Sequence, residues 1–84
     1  MYFSAPWCGP CKMFKPTVQS VALELGVGII DINVDYDATY TEKYEIKSVP
    51  TLIITDNQGG VLYRNSGVMS RDQVVNAFKT YMNQ

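Results

Sequence analysis

The chain has 84 residues and a formal net charge of −1, with 7 Lys plus Arg against 8 Asp plus Glu; this length fills one domain and excludes a two-domain enzyme. With 46% hydrophobic and 18% charged residues the composition is that of a chain that folds, and the balance of charge lacks the basic footprint that nucleic-acid backbones require, so nucleic acid is not an expected partner. Apolar runs such as Leu52-Ile53-Ile54 fall far short of the roughly 18 residues of a membrane span, and Trp7-Cys8 arrives too early for a signal peptide, so a cytoplasmic chain with no membrane association is expected.

Taken in order, Met1 to Ala5 is a short aromatic-rich strand ended by Pro6. From Cys8 or Cys11 onward, Met13, Phe14, Thr17, Val18, Val21, Ala22 and Leu25 recur at helical spacing until Gly26. Pro16 lies inside this helix and removes one backbone hydrogen bond, which predicts a kink rather than a break. Val27 to Asp35 alternates, with Ile30, Ile32 and Val34 on one face and Ile29, Asp31, Asn33 and Asp35 on the other, the pattern of a second strand. Asp37 caps a short helix over Ala38 to Glu45, and Val49 to Thr55 forms a third strand. The turn Asp56-Asn57-Gln58-Gly59-Gly60 reverses the chain into a hairpin partner, Val61 to Arg64. Ser70 and Gln73 make a capping box for a last helix whose apolar face is Val74, Val75, Ala77, Phe78, Tyr81 and Met82. The order β-α-β-α-β-β-α implies one α/β domain over residues 1–84. The first crossover makes a parallel strand pair and the later hairpin adds antiparallel strands, giving a mixed four-stranded sheet packed by helices.

The chain contains no His, which removes the usual general base and the Cys-His dyad. Its two cysteines, Cys8 and Cys11, stand three positions apart where a strand gives way to a helix. Such a spacing brings the α-carbons within disulfide range, and the helix N-terminus favours a thiolate at Cys8, with Cys11 one turn further in and more buried. Pro10 fits the first turn, whose N–H groups have no partner to lose, and stiffens the loop. Two other readings of the pair are a pair of small buried hydrophobes and half of a zinc shell; for the latter, two thiolates lack the remaining ligands, so no metal is expected.

The run Trp7-Cys8-Gly9-Pro10-Cys11-Lys12, with Val49-Pro50-Thr51 and Gly67, resembles the thioredoxin family. The likeness extends from Phe3 to the last helix and includes Pro16 and Asn33-x-Asp35. It implies a thioredoxin-like sheet of strand order 2-1-3-4 and a protein-disulfide reductase in which Cys8 attacks a substrate disulfide and Cys11 resolves the mixed disulfide. It also implies a cis Pro50 facing the dithiol, Val49 pairing with an extended substrate, and Trp7, Gly9, Pro10 and Gly67 completing a shallow platform. Read without the motif, Pro50 is an ordinary trans residue at a strand start, Trp7 a packing residue and Gly67 a turn glycine. No bound cofactor beyond the redox-active Cys8–Cys11 disulfide is expected, and the partners are disulfide-containing proteins and a thioredoxin reductase or similar donor, with the chain a monomer. A glutaredoxin-like reductase using glutathione, and an interaction module on the same fold, are the alternatives.

The chain departs from the family at two positions. Tyr2 stands where a buried Asp is usual beneath the second cysteine, and Asp31 where a Lys is usual on the neighbouring strand. Tyr2 does not act as a base near neutral pH. Asp31 is therefore either a partly buried general base for Cys11 or, with Asn33 and Asp35, one member of a solvated strand face. Tyr36, Tyr40 and Tyr44 form a stripe read as packing. Family members usually begin with a further strand and helix for which this chain has no room, so Val27 to Asp35 is expected at a sheet edge.

Overall fold

The computed structural model describes residues 1–82. Its elements are β1 (Tyr2–Ser4), α1 (Gly9–Leu25), β2 (Asp31–Asn33), α2 (Ala38–Lys43), β3 (Thr51–Thr55), β4 (Val61–Ser66) and α3 (Arg71–Met82). They form one sheet of order β2-β1-β3-β4. β1 runs parallel to β2, with Phe3 opposite Ile32, and antiparallel to β3, with Tyr2 opposite Leu52; β3 and β4 form the hairpin. Both the order and the edge position of β2 agree with the sequence-based expectation.

β1 is buried on both faces because neighbouring residues point to opposite sides of a pleated strand. Tyr2 joins Leu52 and Ile54 in the larger core, roofed by Phe14, Val18, Val21 and Ala22 of α1 and by Val74, Ala77 and Phe78 of α3. Phe3 points the other way into a smaller cluster with Ile32, Ile53 and Tyr44. Helices α1 and α3 therefore cover one face, while Tyr44 and Ile46 from the end of α2 cover the other. Tyr44 stacks on Tyr40 and packs against Phe3, whereas Tyr36 is 85% exposed.

Local signals set the helix ends. Gly26 adopts φ 70° and its N–H reaches Ala22 O and Leu23 O, closing α1 where glycine alone is unstrained. The helix runs on through Pro16. Ser70 and Gln73 bond reciprocally, Gln73 N to Ser70 Oγ at 3.2 Å and Ser70 N to Gln73 Oε1 at 2.9 Å. Val74, Ala77 and Phe78 are buried and Val75 and Tyr81 half-buried as the pattern implied; the side chain of Met82 lies outside the described residues.

Several details differ from expectation. β2 spans only Asp31–Asn33: the alternation upstream is not sheet alternation, since Ile30 is 62% exposed while Ile29 packs on the larger core. Met13, assigned to the buried face of α1, is 81% exposed, because it falls a position away from the Phe14–Val18–Val21 stripe. β4 continues two residues beyond Arg64 to Ser66, opposite Thr51.

Candidate active site

The site assembles at the end of the sheet where β1 hands over to α1. Cys8 N bonds to Ala5 O at 3.1 Å, turning the chain out of β1, and Cys8 is the N-cap of α1 with extended backbone. Its Sγ accepts the N–H of Cys11 at 3.1 Å. An N-cap side chain satisfies one orphan donor of the first helical turn, and here the acceptor is the sulfur of Cys8. Cys8 and Cys11 are joined as a disulfide with Cα atoms 5.2 Å apart, inside the usual range. Both are buried, at 5% and 2% exposure, in a small cluster with Ala5 against which Val49 and Val34 pack. Pro10 lies exposed in the first turn of α1, and the α-carbon of Gly9 faces open space.

A second loop packs against the disulfide. The Val49–Pro50 peptide bond is cis, and Pro50 is buried. Gly67 N donates to Pro50 O at 2.8 Å, and Thr51 Oγ1 donates to Ser48 O at 2.7 Å, which ties the loop to the start of β3 and the end of β4. Because Thr51 uses its hydroxyl proton there, Ser66 Oγ donates to Thr51 Oγ1 at 3.3 Å. Gly67 has φ 101°, a conformation that L side chains avoid, and nothing lies within 4 Å of where a Cβ would stand. Its backbone thus offers an open approach beside the disulfide.

Trp7 is 69% exposed on the rim, and its Nε1 donates to Asp35 Oδ2 at 3.0 Å. A groove of about 230 Å³ runs from Trp7 over Val34, Ile46 and Val49 to Lys47 and Ser48. A larger cleft of about 390 Å³ between β4 and α3 contains no cysteine. Among the described residues no three His, Cys, Asp or Glu side chains gather as a metal-ligand set, and no helix is long and apolar enough to cross a membrane.

The sequence-predicted residues Trp7, Cys8, Gly9, Pro10, Cys11, Val49, Pro50 and Gly67 come together at this one end of the molecule. Asp31 does not take the partly buried position proposed for it. Its side chain is 43% exposed and its Oδ2 lies 3.1 Å from Lys15 Nζ, on the outer strand of the described sheet. Asp31 does line a cavity of about 320 Å³ that reaches Cys11. Directly beneath Cys11 stands Tyr2, whose OH donates to Cys11 O at 2.8 Å. Burial pushes the Tyr2 phenol up to about 12 from its ordinary 10, with the Asp31 carboxylate adding to the shift. Reading the sequence missed Asp35 as the tether of Trp7, and Lys47 and Ile46 as groove residues; a carboxylate following the Asn33 strand was the one available signal for the first.

The thioredoxin family model matches residues 1–80. The chain belongs to the thioredoxin family. A thioredoxin from Chlamydia trachomatis is 36% identical over 74 residues, covering 87% of this chain and 72% of the relative. One from Haemophilus influenzae is 37% identical over 76 residues, covering 88% and 70%. Among solved structures, thioredoxin 1 of Thermosipho africanus superposes with a TM-score of 0.86 at 28% identity over 98% of this chain and 91% of that one. A thioredoxin variant from Halobacterium salinarum gives 0.88 at 29% identity, over 95% and 70%. With a cysteine pair at disulfide distance, this thioredoxin-family chain is a thiol-disulfide oxidoreductase.

Proposed function

We propose that the protein reduces disulfides in other proteins, with Cys8 as the attacking sulfur and Cys11 as the resolving one, and that a thioredoxin reductase or similar donor restores the dithiol in a reducing compartment such as the cytoplasm. The observation that carries this reading is the disulfide at the N-terminus of α1, packed against Val49. In the dithiol form the same N-terminal dipole and the Cys11 N–H stabilise negative charge on Cys8 Sγ, the condition for nucleophilic sulfur. The Cys8 thiolate attacks one sulfur of the substrate disulfide, forming a mixed disulfide and releasing the other as a thiolate. The Cys11 thiolate then attacks Cys8 Sγ, closing the Cys8–Cys11 bond and expelling the reduced substrate. Two electrons pass from dithiol to substrate, and no bound cofactor enters.

The substrate segment lies extended against Val49 as an added strand, with Gly67 admitting its backbone and Trp7 supplying an apolar rim. Insulin-disulfide reduction tests the reading: turnover with NADPH and thioredoxin reductase is expected, and turnover with glutathione and glutathione reductase instead identifies a glutaredoxin-like enzyme. Cys11→Ser is expected to accumulate mixed disulfides and Cys8→Ser to accumulate none; equal behaviour of the two refutes the assigned roles. An interaction module is identified if Cys8→Ser,Cys11→Ser still supports the biological role.

A further inference from the structure

In the oxidised chain the S–S bond itself holds Cys11 beside Cys8. In the dithiol and in a mixed disulfide that bond is open, and the place of Cys11 depends on what else ties the first turn of α1. Such a turn is the least supported part of a helix, since its N–H groups have no partner within the helix, and here it includes Gly9, whose α-carbon faces open space. Beyond the helix's own ladder, two contacts reach the backbone of Cys11. Its N–H meets Cys8 Sγ at 3.1 Å, a contact within the same turn that moves with it. Its carbonyl accepts from the Tyr2 hydroxyl at 2.8 Å, and among the described residues this is the one side-chain hydrogen bond between the sheet and that turn. Tyr2 is a rigid anchor: it has no exposed surface, lies on β1 between Asp31 of β2 and Leu52 of β3, and sets its ring edge-on to Phe14. A phenol keeps its proton near neutrality, so its part is that of a donor to a carbonyl and not of a proton acceptor.

We infer that Tyr2 is a positioning residue for the resolving step: by holding the Cys11 carbonyl from the sheet, it keeps the Cys11 sulfur within bonding reach of Cys8 while the disulfide is open. The inference rests on Cys11 being the resolving sulfur. In that step the Cys11 sulfur bonds to Cys8 Sγ, the Cys8–substrate S–S bond breaks, and the substrate sulfur leaves with the electron pair. The dithiol is oxidised and the substrate reduced; Cys11 gives up one proton and the leaving sulfur takes one to end as a thiol, so the sum of protons is unchanged. Holding two reacting groups together raises their effective concentration. The coupling is reciprocal: by whatever factor the Tyr2 bond favours closure, closure strengthens the Tyr2 bond. One intramolecular hydrogen bond shifts an equilibrium by about two- to tenfold. The opened turn retains part of this one, so about threefold is expected for closure.

The full chain is equilibrated in buffers of glutathione and glutathione disulfide at pH 7, quenched with acid, and its dithiol, single-glutathione and disulfide forms are counted by mass. In Tyr2→Phe the ratio of single-glutathione adduct to disulfide is expected to rise about threefold, while the ratio of adduct to dithiol stays unchanged, which places the loss in the closing step. Urea unfolding closes the same cycle: Tyr2→Phe is expected to lower the folding constant of the disulfide form about threefold more than that of the dithiol form. Val18→Ala, a truncation in the buried core further along α1, is expected to lower both folding constants alike and to leave the adduct ratios unchanged. Unchanged ratios in Tyr2→Phe overturn the inference. Equal losses of stability in the two redox states also overturn it, since they mark a purely structural bond, as does a Val18→Ala protein whose ratios move as far as those of Tyr2→Phe. If Cys8→Ser rather than Cys11→Ser takes up the glutathione, the roles given to the two sulfurs fail instead.

Discussion

Tyr2→Phe removes a single oxygen from the centre of the fold and leaves the ring, which stays edge-on to Phe14 at 5.9 Å between centroids. The lost group is a buried hydroxyl whose one recorded bond, 2.8 Å to Cys11 O, fastens β1 to the first turn of α1. A buried hydrogen bond of this kind contributes about 0.5–1.5 kcal/mol net. For a domain of this size about 1 kcal/mol corresponds to a Tm lower by roughly 4–8 °C, measured by urea and thermal unfolding of the oxidised protein at pH 7. The alkaline arm of the experiment has a definite sign. The folded-state pKa of Tyr2 is raised above the unfolded value, to about 12, so its contribution is fully present below pH 10 and is lost as pH rises from 10 through 12. Wild type therefore loses stability across that window through this residue, and Tyr2→Phe does not, so the gap between the two proteins narrows as pH rises. Tyrosinate absorbance gives an independent check: one of the six tyrosines ionises late in the folded wild type, and that late step is absent from the variant. Equal stability of the two proteins at pH 7, or a late step that survives in Tyr2→Phe, refutes the account of what holds β1 to α1.

Two further substitutions probe features away from the sulfurs. Glu45 follows α2 with φ 55°; a non-glycine residue pays roughly 1–2 kcal/mol there, so Glu45→Gly is expected to stabilise by about 0.5–1 kcal/mol after the added freedom of the unfolded chain, and a loss of stability in urea unfolding contradicts this. Asp35→Ala cuts the 3.0 Å bond to the indole of Trp7, the one tryptophan in the chain. Its fluorescence anisotropy is expected to fall while stability changes by less than about 0.5 kcal/mol, since both groups are exposed; an unchanged anisotropy shows that the tether does not hold the ring.

The parts of this molecule that were readable from sequence are those in which cause and effect lie within one turn of chain. The Ser70/Gln73 box, the Gly26 stop and the Asp37 cap each satisfy backbone groups three or four residues away, and each stands in the structure as expected. Strand directions followed from the connections, because a helical crossover makes strands parallel and a tight turn makes them antiparallel, while the order 2-1-3-4 was implied by the family resemblance. The errors lie where a residue's surroundings come from elsewhere. Ile30 alternates like a strand residue but sits beyond the end of the ladder, so its face was decided by where β1 begins to pair rather than by its own neighbours.

The same distinction separates the two aspartates near the site. Asp31 and Asp35 share a short acidic stretch and read alike, as members of a solvated face. Their partners come from other elements: Lys15 from the second turn of α1, and Trp7 from the loop 28 residues earlier. An exposed ion pair contributes little to stability, about 0–1 kcal/mol, so Lys15–Asp31 adds little to holding α1 against β2. Neither partner lies in the aspartate's own strand, so the alternation of Asp31, Asn33 and Asp35 marks an open face but not what each carboxylate meets there.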